Sequence, residues 1–167
     1  MEKLRDATLV FLIKRDANKT ISHICLAMKK RGFGEGRWNG VGGKVGDKIV
    51  ETVREAAIRE THEEIGVHVS DLKKVAELSF YFPHNPAWDQ LVHVYLAERW
   101  DGKPEESEEM RPQWFAVTNI PFDAMWPDDM FWLPQMLAGK SLEARFSFGE
   151  HDVVLEQTIA PHQQFTD

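Results

Sequence analysis

Three glutamates, Glu60, Glu63 and Glu64, lie close together near the end of a segment that is predicted to be helical. Residues three or four positions apart share a helix face, where like charges destabilise the helix by about 0.2–0.5 kcal/mol per pair. The last turn also faces the negative end of the helix dipole, which disfavours carboxylates. Hard divalent cations prefer such oxygen ligands. The pattern therefore indicates Mg²⁺ or Mn²⁺ holding a phosphorylated substrate, with a solvated acidic surface as the alternative.

Three better-known motifs do not fit this region. A Walker A loop ending at Lys44 would need glycine and Ser or Thr where the chain has Trp38 and Val45. A dinucleotide-binding fingerprint starting at Gly40 lacks its third glycine, also at Val45. A zinc-protease HExxH motif starting at His62 would need a second histidine at position 66, where the chain has glycine. The glycine-rich segment ahead of the helix therefore has a different role.

The composition argues against a nucleic-acid-binding protein and against a membrane-spanning one. The 167 residues carry a net charge of −7, which argues against binding to long nucleic acids, since phosphate contacts need clustered Lys and Arg. The single cysteine, Cys25, has no internal partner for a disulfide, which indicates a reducing compartment. No apolar stretch approaches the roughly 18 residues of a membrane-spanning helix. We expect a cytoplasmic protein made of one domain over residues 1–167, and a monomer.

The helix that carries the glutamates has clear boundaries. Thr52 and Glu55 have the spacing of a capping box, and Gly66 stands where a glycine would end the helix, so we predict a helix over residues 52–65. Apolar and alternating runs predict strands around it. The predicted strands are 7–13, 21–28, 74–82, 91–97 and 113–117, with a final hairpin in 144–159. A second helix is predicted after Pro127, and loops at 83–90 and 101–111.

The segment around the glutamates resembles the Nudix box, G-x5-E-x7-R-E-U-x-E-E-x-G-U, in which U is a bulky apolar residue. The matching positions are Glu51, Arg59, Glu60, Glu63, Glu64, Gly66 and Val67. The loop between Gly43 and Glu51 is two residues longer than in the family pattern, and Thr61 replaces an aliphatic residue. Neither difference removes a carboxylate.

The resemblance covers nearly the whole chain and is greatest to the 8-oxo-dGTP diphosphatases, Nudix enzymes that remove oxidised purine nucleotides. It is carried by the peptides KKRGFGEGRWNGVGGKV, EEMRPQWF and IPFDAMWPDDMFW. It implies an α/β Nudix fold, an α/β/α sandwich with a mixed, curved sheet between helices. It also implies hydrolysis of the phosphate chain to a nucleoside monophosphate and pyrophosphate, with Mg²⁺ as cofactor and Mn²⁺ as an alternative.

The same resemblance assigns roles to individual residues. Glu64 is the expected water-activating base, and Arg59 is expected to orient the carboxylates through its planar fork. The metal ligands implied are the backbone carbonyl of Gly42 and the side chains of Glu60, Glu63, Glu64 and Glu109. The substrate-binding residues implied are Thr8, Lys29, Phe33, Asn39, Val41, Gly42, Gly43, Lys44, Trp126, Pro127, Asp128 and Asp129.

Asp128 and Asp129 are adjacent carboxylates among aromatic residues. Burial and mutual repulsion would raise the pKa of at least one of them. A protonated carboxyl donates a hydrogen bond where an ionised one accepts, so the pair could read more than one oxidised base, of the 8-oxo-dGTP and 2-hydroxy-dATP types. The alternative is that the two residues simply begin a helix, where aspartate interacts favourably with the dipole.

The function predicted from the sequence is therefore metal-dependent hydrolysis of oxidised purine nucleoside triphosphates. The loop at 83–90 matches the family poorly, which leaves open an alkylated purine nucleotide or another nucleoside diphosphate derivative as the substrate. A non-catalytic nucleotide-binding module is a further alternative. A pure binder would not need three mutually repelling glutamates.

Overall fold

The chain starts with the predicted hairpin. In the structure, a computed structural model that describes residues 4–46 and 49–166, strand β1 (Arg5–Arg15) pairs antiparallel with β2 (Ile21–Lys29). The turn between them is closed by Asp16, whose side-chain oxygen accepts hydrogen bonds from the backbone N–H groups of Asn18 and Thr20. Asp is favoured in turns because its side chain bonds the backbone in this way.

A mixed sheet organises the rest of the chain. Its further strands are β3 (Trp38–Asn39), β5 (Lys73–Tyr81), β6 (Gln90–Ala97), β8 (Met110–Ala116), β9 (Leu142–Phe148) and β10 (Val154–Pro161). The strand order is β10-β9-β5-β6-β1-β2-β3, and β8 also pairs with β2. The pairs β1–β6 and β5–β9 are parallel, whereas the other pairs are antiparallel. Strands β4 (His68–Ser70) and β7 (Arg99–Asp101) form a separate ribbon.

One helix covers each face of this sheet. Along β1, Phe11 and Ile13 belong to one buried core, whereas Val10 and Leu12 belong to the other. Helix α1 (Val53–Ile65) contributes Ala57 and Ile65 to the second core, and helix α2 (Asp129–Leu137) contributes Trp132, Leu133 and Met136 to the first. Alternating side chains of a strand point to opposite faces, so two helices are needed to bury both. The predicted α/β class is confirmed.

Helix α1 begins and ends where its sequence predicts. The Thr52 hydroxyl accepts from the backbone N–H of Glu55 at 3.1 Å, and the Glu55 carboxylate accepts from the backbone N–H of Thr52 at 2.9 Å. Gly66 ends the helix with a φ of 76°, a left-handed conformation that glycine adopts without strain. The unexpected Thr61 is fully buried, and its hydroxyl donates to the Ala57 carbonyl at 2.7 Å. That bond satisfies the polar group on an otherwise apolar stripe.

The shortest strands were missed by the sequence prediction. Strands β3, β4 and β7 span only two or three residues each, too few for an alternating pattern to be detected. Strand β8 begins at Met110, inside the predicted loop 101–111, because its first residues pair with β2. The longer loop before α1 includes positions 47 and 48, which lie outside the described residues. Among the described helices, none is long and apolar enough to cross a membrane.

Candidate active site

A cavity of about 670 Å³ opens between β1, the glycine-rich segment, α1 and the start of α2. Its volume lies within the range of pockets that bind small molecules. Most of the residues predicted to be functional line it. These are Thr8, Lys29, Phe33, Asn39, Gly42, Gly43, Lys44, Arg59, Glu60, Glu64, Glu109, Trp126, Asp128 and Asp129.

Three of the predicted residues do not line the cavity. Val41 is buried in the second core, and its backbone N–H and carbonyl both form hydrogen bonds with Val10. Pro127 is half-buried beside the lining residues. Glu63 is exposed on α1 and bonds to Arg59 at 3.2 Å.

The glycines at positions 42 and 43 are required by close approach. A Cβ atom at Gly42 would lie 1.7 Å from the carbonyl oxygen of Thr8, and one at Gly43 would lie 2.6 Å from the carboxyl carbon of Glu60. The segment is held against β1 by a hydrogen bond from the Thr8 N–H to the Gly43 carbonyl, at 2.8 Å. The glycine-rich sequence therefore brings bare backbone up to the carboxylates of α1.

Arg59 connects the carboxylates at the edge of the cavity. Its guanidinium makes a bidentate contact with Glu51, at 2.9 Å from Nε and 2.6 Å from Nη2. Nη1 reaches Glu60 at 3.0 Å and Glu63 at 3.2 Å. The side chain of Glu51 is 2% exposed and that of Arg59 is 18% exposed. Hydrogen bonding to Arg59 lowers the pKa of Glu51, and the same bonds raise the pKa of Arg59, so both groups stay charged.

Glu64 is the buried carboxylate of this group. It is 9% exposed, and its Oε2 atom is buried without a hydrogen-bond partner among residues 4–46 and 49–166. Burial, followed by the negative charge of Glu60, raises the pKa of Glu64 to about 8. The charge of Lys29 and a hydrogen bond with the backbone of Gly42 act in the opposite direction. An unpartnered carboxylate oxygen is costly to bury, so the site favours a ligand that binds it.

The carboxylates of this wall suit a hard divalent cation. Its donor groups are oxygens, and the buried Oε2 of Glu64 is the kind of group that such an ion would satisfy. Within residues 4–46 and 49–166, however, no three acidic, histidine or cysteine side chains are grouped as a ready-made metal site. Glu60 and Glu63 are bonded to Arg59, and Glu109 is paired with Arg31 at 2.6 Å. The predicted metal ligands therefore stay a prediction.

Asp128 and Asp129 form the opposite end of the cavity. Their residues are 2% and 3% exposed, and they stand at the start of α2 without a side-chain cap. The indole N–H of Trp132 donates to Asp128 at 2.8 Å, whereas Oδ2 of Asp129 has no hydrogen-bond partner in the part of the chain that the structure describes. Burial raises the pKa of Asp128 to about 6. Burial and the charge of Asp128 raise the pKa of Asp129 well above its usual value. The pair both begins a helix and faces the cavity.

Aromatic side chains form the wall beside this pair. The rings of Phe33 and Trp126 lie 5.0 Å apart, and Phe82 and Phe148 stack at 5.0 Å behind them. The side-chain oxygen of Asn39 accepts from the backbone N–H of Gly40 at 2.8 Å, which orients the amide and its NH₂ donor. The cavity thus offers aromatic faces and polar groups suited to a flat heterocycle.

Arg37 is the main lining residue that the sequence did not indicate. Its guanidinium lies 4.2 Å from the centre of the Trp126 ring and pairs with Asp152 at 2.8 Å. His151 and Asp152 both have φ near 60°, a strained backbone conformation for residues other than glycine. The position of Arg37 beside Trp38 and Asn39 was a signal for a pocket residue. Its partner 115 residues away could not be read from the chain.

Comparisons with known proteins identify the family of the chain. The model described as NUDIX domain matches residues 3–136. The chain is 45% identical over 142 residues to the oxidized purine nucleoside triphosphate hydrolase of Mus musculus, covering 85% of this chain and 89% of that protein. It is 46% identical over 136 residues to the protein of the same name from Danio rerio, covering 81% of this chain and 85% of that protein.

A solved structure supports the fold. The MutT protein from Bacillus halodurans superimposes with a TM-score of 0.77, covering 93% of this chain and 97% of that one at 19% sequence identity. At this identity the likeness concerns the fold alone. The family match spans most of the chain, and the mouse and zebrafish proteins are nearly half identical to it over most of their own length. This chain therefore belongs to the Nudix family.

Proposed function

We propose that this protein is a metal-dependent hydrolase that converts oxidised purine nucleoside triphosphates, of the 8-oxo-dGTP and 2-hydroxy-dATP types, to the monophosphate and pyrophosphate. One observation carries the proposal. The buried, unpartnered oxygen of Glu64 and the buried Asp128–Asp129 pair line one cavity. Glu64 can act on a phosphate chain, and the aspartate pair can form hydrogen bonds with the edge of a base. The names of the mouse and zebrafish relatives support this substrate class.

The base would bind at the aspartate end. Trp126 and Phe33 supply stacking surfaces, and the NH₂ of Asn39 supplies a donor. A protonated Asp129 donates a hydrogen bond, whereas Asp128 accepts one when it is ionised. Oxidation at position 8 or position 2 of a purine changes donors and acceptors at its edge. A pair that can present both kinds of group is suited to more than one such edge.

The phosphate chain would extend toward α1. Lys29 and Lys44 line this side of the cavity and supply positive charge. Glu60, Glu63, Glu64, Glu109 and the Gly42 carbonyl would hold Mg²⁺ or Mn²⁺, which when bound polarises phosphate and makes water more acidic. Arg59 holds the neighbouring carboxylates in place through the contacts with Glu51 and Glu60.

The chemical step is the attack of a water oxygen on a phosphorus of the chain. The bond to the bridging oxygen breaks, pyrophosphate leaves, and the proton of the water passes to Glu64, whose ionised form the charge of a bound cation would favour. General acid–base catalysis of this kind contributes about 10²–10⁴-fold to a rate. The proposal includes a single domain over residues 1–167 that works as a monomer in the cytoplasm, consistent with a single, buried Cys25.

A pyrophosphate-release assay on a panel of nucleotides tests the function. With Mg²⁺ present, 8-oxo-dGTP and 2-hydroxy-dATP should be hydrolysed with kcat/KM values far above those of dGTP and dATP. Equal values for oxidised and unmodified nucleotides would remove the assignment to oxidised purines. An alkylated purine nucleotide or a nucleoside diphosphate derivative that reacts faster would identify the substrate instead. Nucleotide binding without any metal-dependent release would indicate a non-catalytic module.

A further inference from the structure

Arg31 lies just after the end of β2 and is bonded to a carboxylate of the predicted metal site. Its guanidinium makes two contacts with the same oxygen of Glu109, because Nε lies 2.8 Å and Nη2 lies 2.6 Å from Oε1. Hydrogen bonds between charged groups are shorter and stronger than those between neutral groups. No step of the proposed reaction uses Arg31, so the role of this contact is open.

The backbone of Glu109 is held by contacts that do not involve the side chain of Arg31. Its carbonyl accepts from the Lys30 N–H at 2.8 Å, and its own N–H donates to the Ser107 hydroxyl at 3.3 Å. The Lys30 ammonium also bonds to Glu106 at 2.6 Å and to the Ser107 carbonyl at 2.9 Å. Replacement of the Arg31 side chain should therefore leave the path of the backbone at Glu109 unchanged.

The carboxylate of Glu109 belongs to the same site as Glu64. Both residues line the main cavity. Burial, followed by the charge of Glu60, raises the pKa of Glu64 to about 8, and the charge of Glu109 adds to this rise. The side chain of Glu109 is nevertheless 39% exposed. A glutamate at such a position has several rotamers, and a ligand that binds its carboxylate must select one of them.

We propose that Arg31 is a positioning residue for the divalent cation, because it holds the carboxylate of Glu109 in one orientation. The inference rests on the proposed function, in which Glu109 is a ligand of that cation. Loss of a hydrogen-bond partner of a metal-binding carboxylate typically lowers metal affinity about 10–100-fold. The side chains of Arg31 and Glu109 are 60% and 39% exposed, so solvent screening reduces the effect. We therefore expect a loss of about threefold to tenfold.

The sign of the effect separates positioning from the charge of Arg31 itself. A positive charge beside a cation site repels the cation, so removal of the charge alone would tighten the binding of Mn²⁺. Removal of a group that orients Glu109 would instead weaken the binding. A weaker affinity of a folded Arg31→Gln protein is therefore a result that the change in charge cannot produce.

Calorimetric titration of the full chain with Mn²⁺, in the absence of nucleotide, measures the dissociation constant. Arg31→Gln should raise this constant about threefold to tenfold. Arg31→Lys should raise it less, since lysine keeps the charge but lacks the planar guanidinium. The matched control is Arg15→Gln, which removes the same charge from an exposed pair with Glu98 at the last residue of β1 and should leave the constant unchanged. A cooperative urea unfolding transition establishes that each variant is folded.

The same titration in a Glu109→Gln background shows whether Arg31 acts through Glu109. Arg31→Gln should not weaken Mn²⁺ binding further in that background, because the carboxylate that Arg31 holds is already gone. An equal loss in both backgrounds would overturn the proposal, as would unchanged or tighter Mn²⁺ binding by Arg31→Gln alone.

Failure of the proposed function gives a different result. A wild-type protein that binds Mn²⁺ but releases no pyrophosphate from 8-oxo-dGTP would contradict the proposed function, and the affinities of the Arg31 variants would still decide the role of Arg31. A wild-type protein that binds no Mn²⁺ would overturn both.

Discussion

The buried Asp128–Asp129 pair should make the stability of the protein depend on pH in a way that needs no substrate. Both carboxyls have pKa values raised by burial, so the folded protein keeps protons that the unfolded chain releases near pH 4. Because the native state then binds more protons, the free energy of unfolding falls as pH rises through this window. We predict that Asp129→Asn removes part of this fall.

The magnitude follows from the proton balance. Each pH unit over which the native state binds one extra proton lowers the free energy of unfolding by about 1.4 kcal/mol. Burial and the charge of Asp128 raise the pKa of Asp129 well above its usual value, so the native state holds a proton here that the unfolded chain has released. The free energy of unfolding of Asp129→Asn minus that of the wild-type protein should therefore increase with pH above pH 4, by at most about 1.4 kcal/mol per pH unit.

Urea unfolding of both proteins in metal-free buffer, at several pH values between 4 and 6, measures this difference. The asparagine amide adds an offset that does not depend on pH, so only the slope of the difference counts. Glu64, whose pKa is also raised, is present in both proteins and its contribution cancels. If the two stability curves ran parallel with pH, the reasoning about a protonated buried pair would be refuted.

Three further predictions concern the contacts that hold the site. Thr61→Val should change the free energy of unfolding by less than about 1 kcal/mol. Thr61→Ile should lower it by about 1–3 kcal/mol, because the larger side chain overpacks a fully buried position. Urea unfolding of the two variants and the wild-type protein measures both differences. By the same assay, Glu51→Ala should lower it by about 1–3 kcal/mol, since Arg59 loses its bidentate partner. Asp152→Asn should raise KM several-fold with kcat kept, because Arg37 loses its anchor at the pocket wall; an unchanged KM would contradict this role.

The local features of the fold could be predicted from the sequence. The capping box, the glycine that ends α1 and the hairpin of β1 and β2 depend on residues close together in the chain. The polar Thr61 could not be explained until the structure showed its hydroxyl bonded to the carbonyl one turn earlier. Strands of two or three residues exist only because distant partners pair with them, and no local pattern marks them.

The parts of the site that depend on residue spacing could be predicted from the sequence. The parts that depend on tertiary contacts could not. The glutamates of α1 follow from their spacing along the helix, as does the adjacency of the two aspartates. Arg37 pairs with Asp152, and His93 bonds to Asp6, across long separations in the chain. The bond from the Phe82 N–H to Asp89 closes a loop whose shape the sequence does not show. The exposure of Trp88 beside Phe33 likewise required the structure.

The most direct test of the central claim is pyrophosphate release from 8-oxo-dGTP by Glu64→Gln with Mg²⁺ present. The control is Glu143→Gln, which removes the same charge at an exposed position of β9 outside the cavity. Both variants should show a cooperative urea unfolding transition, which establishes that each is folded in the assay. We predict that kcat falls at least about a hundredfold for Glu64→Gln and stays near the wild-type value for Glu143→Gln. A Glu64→Gln protein that retains most of its kcat would contradict it.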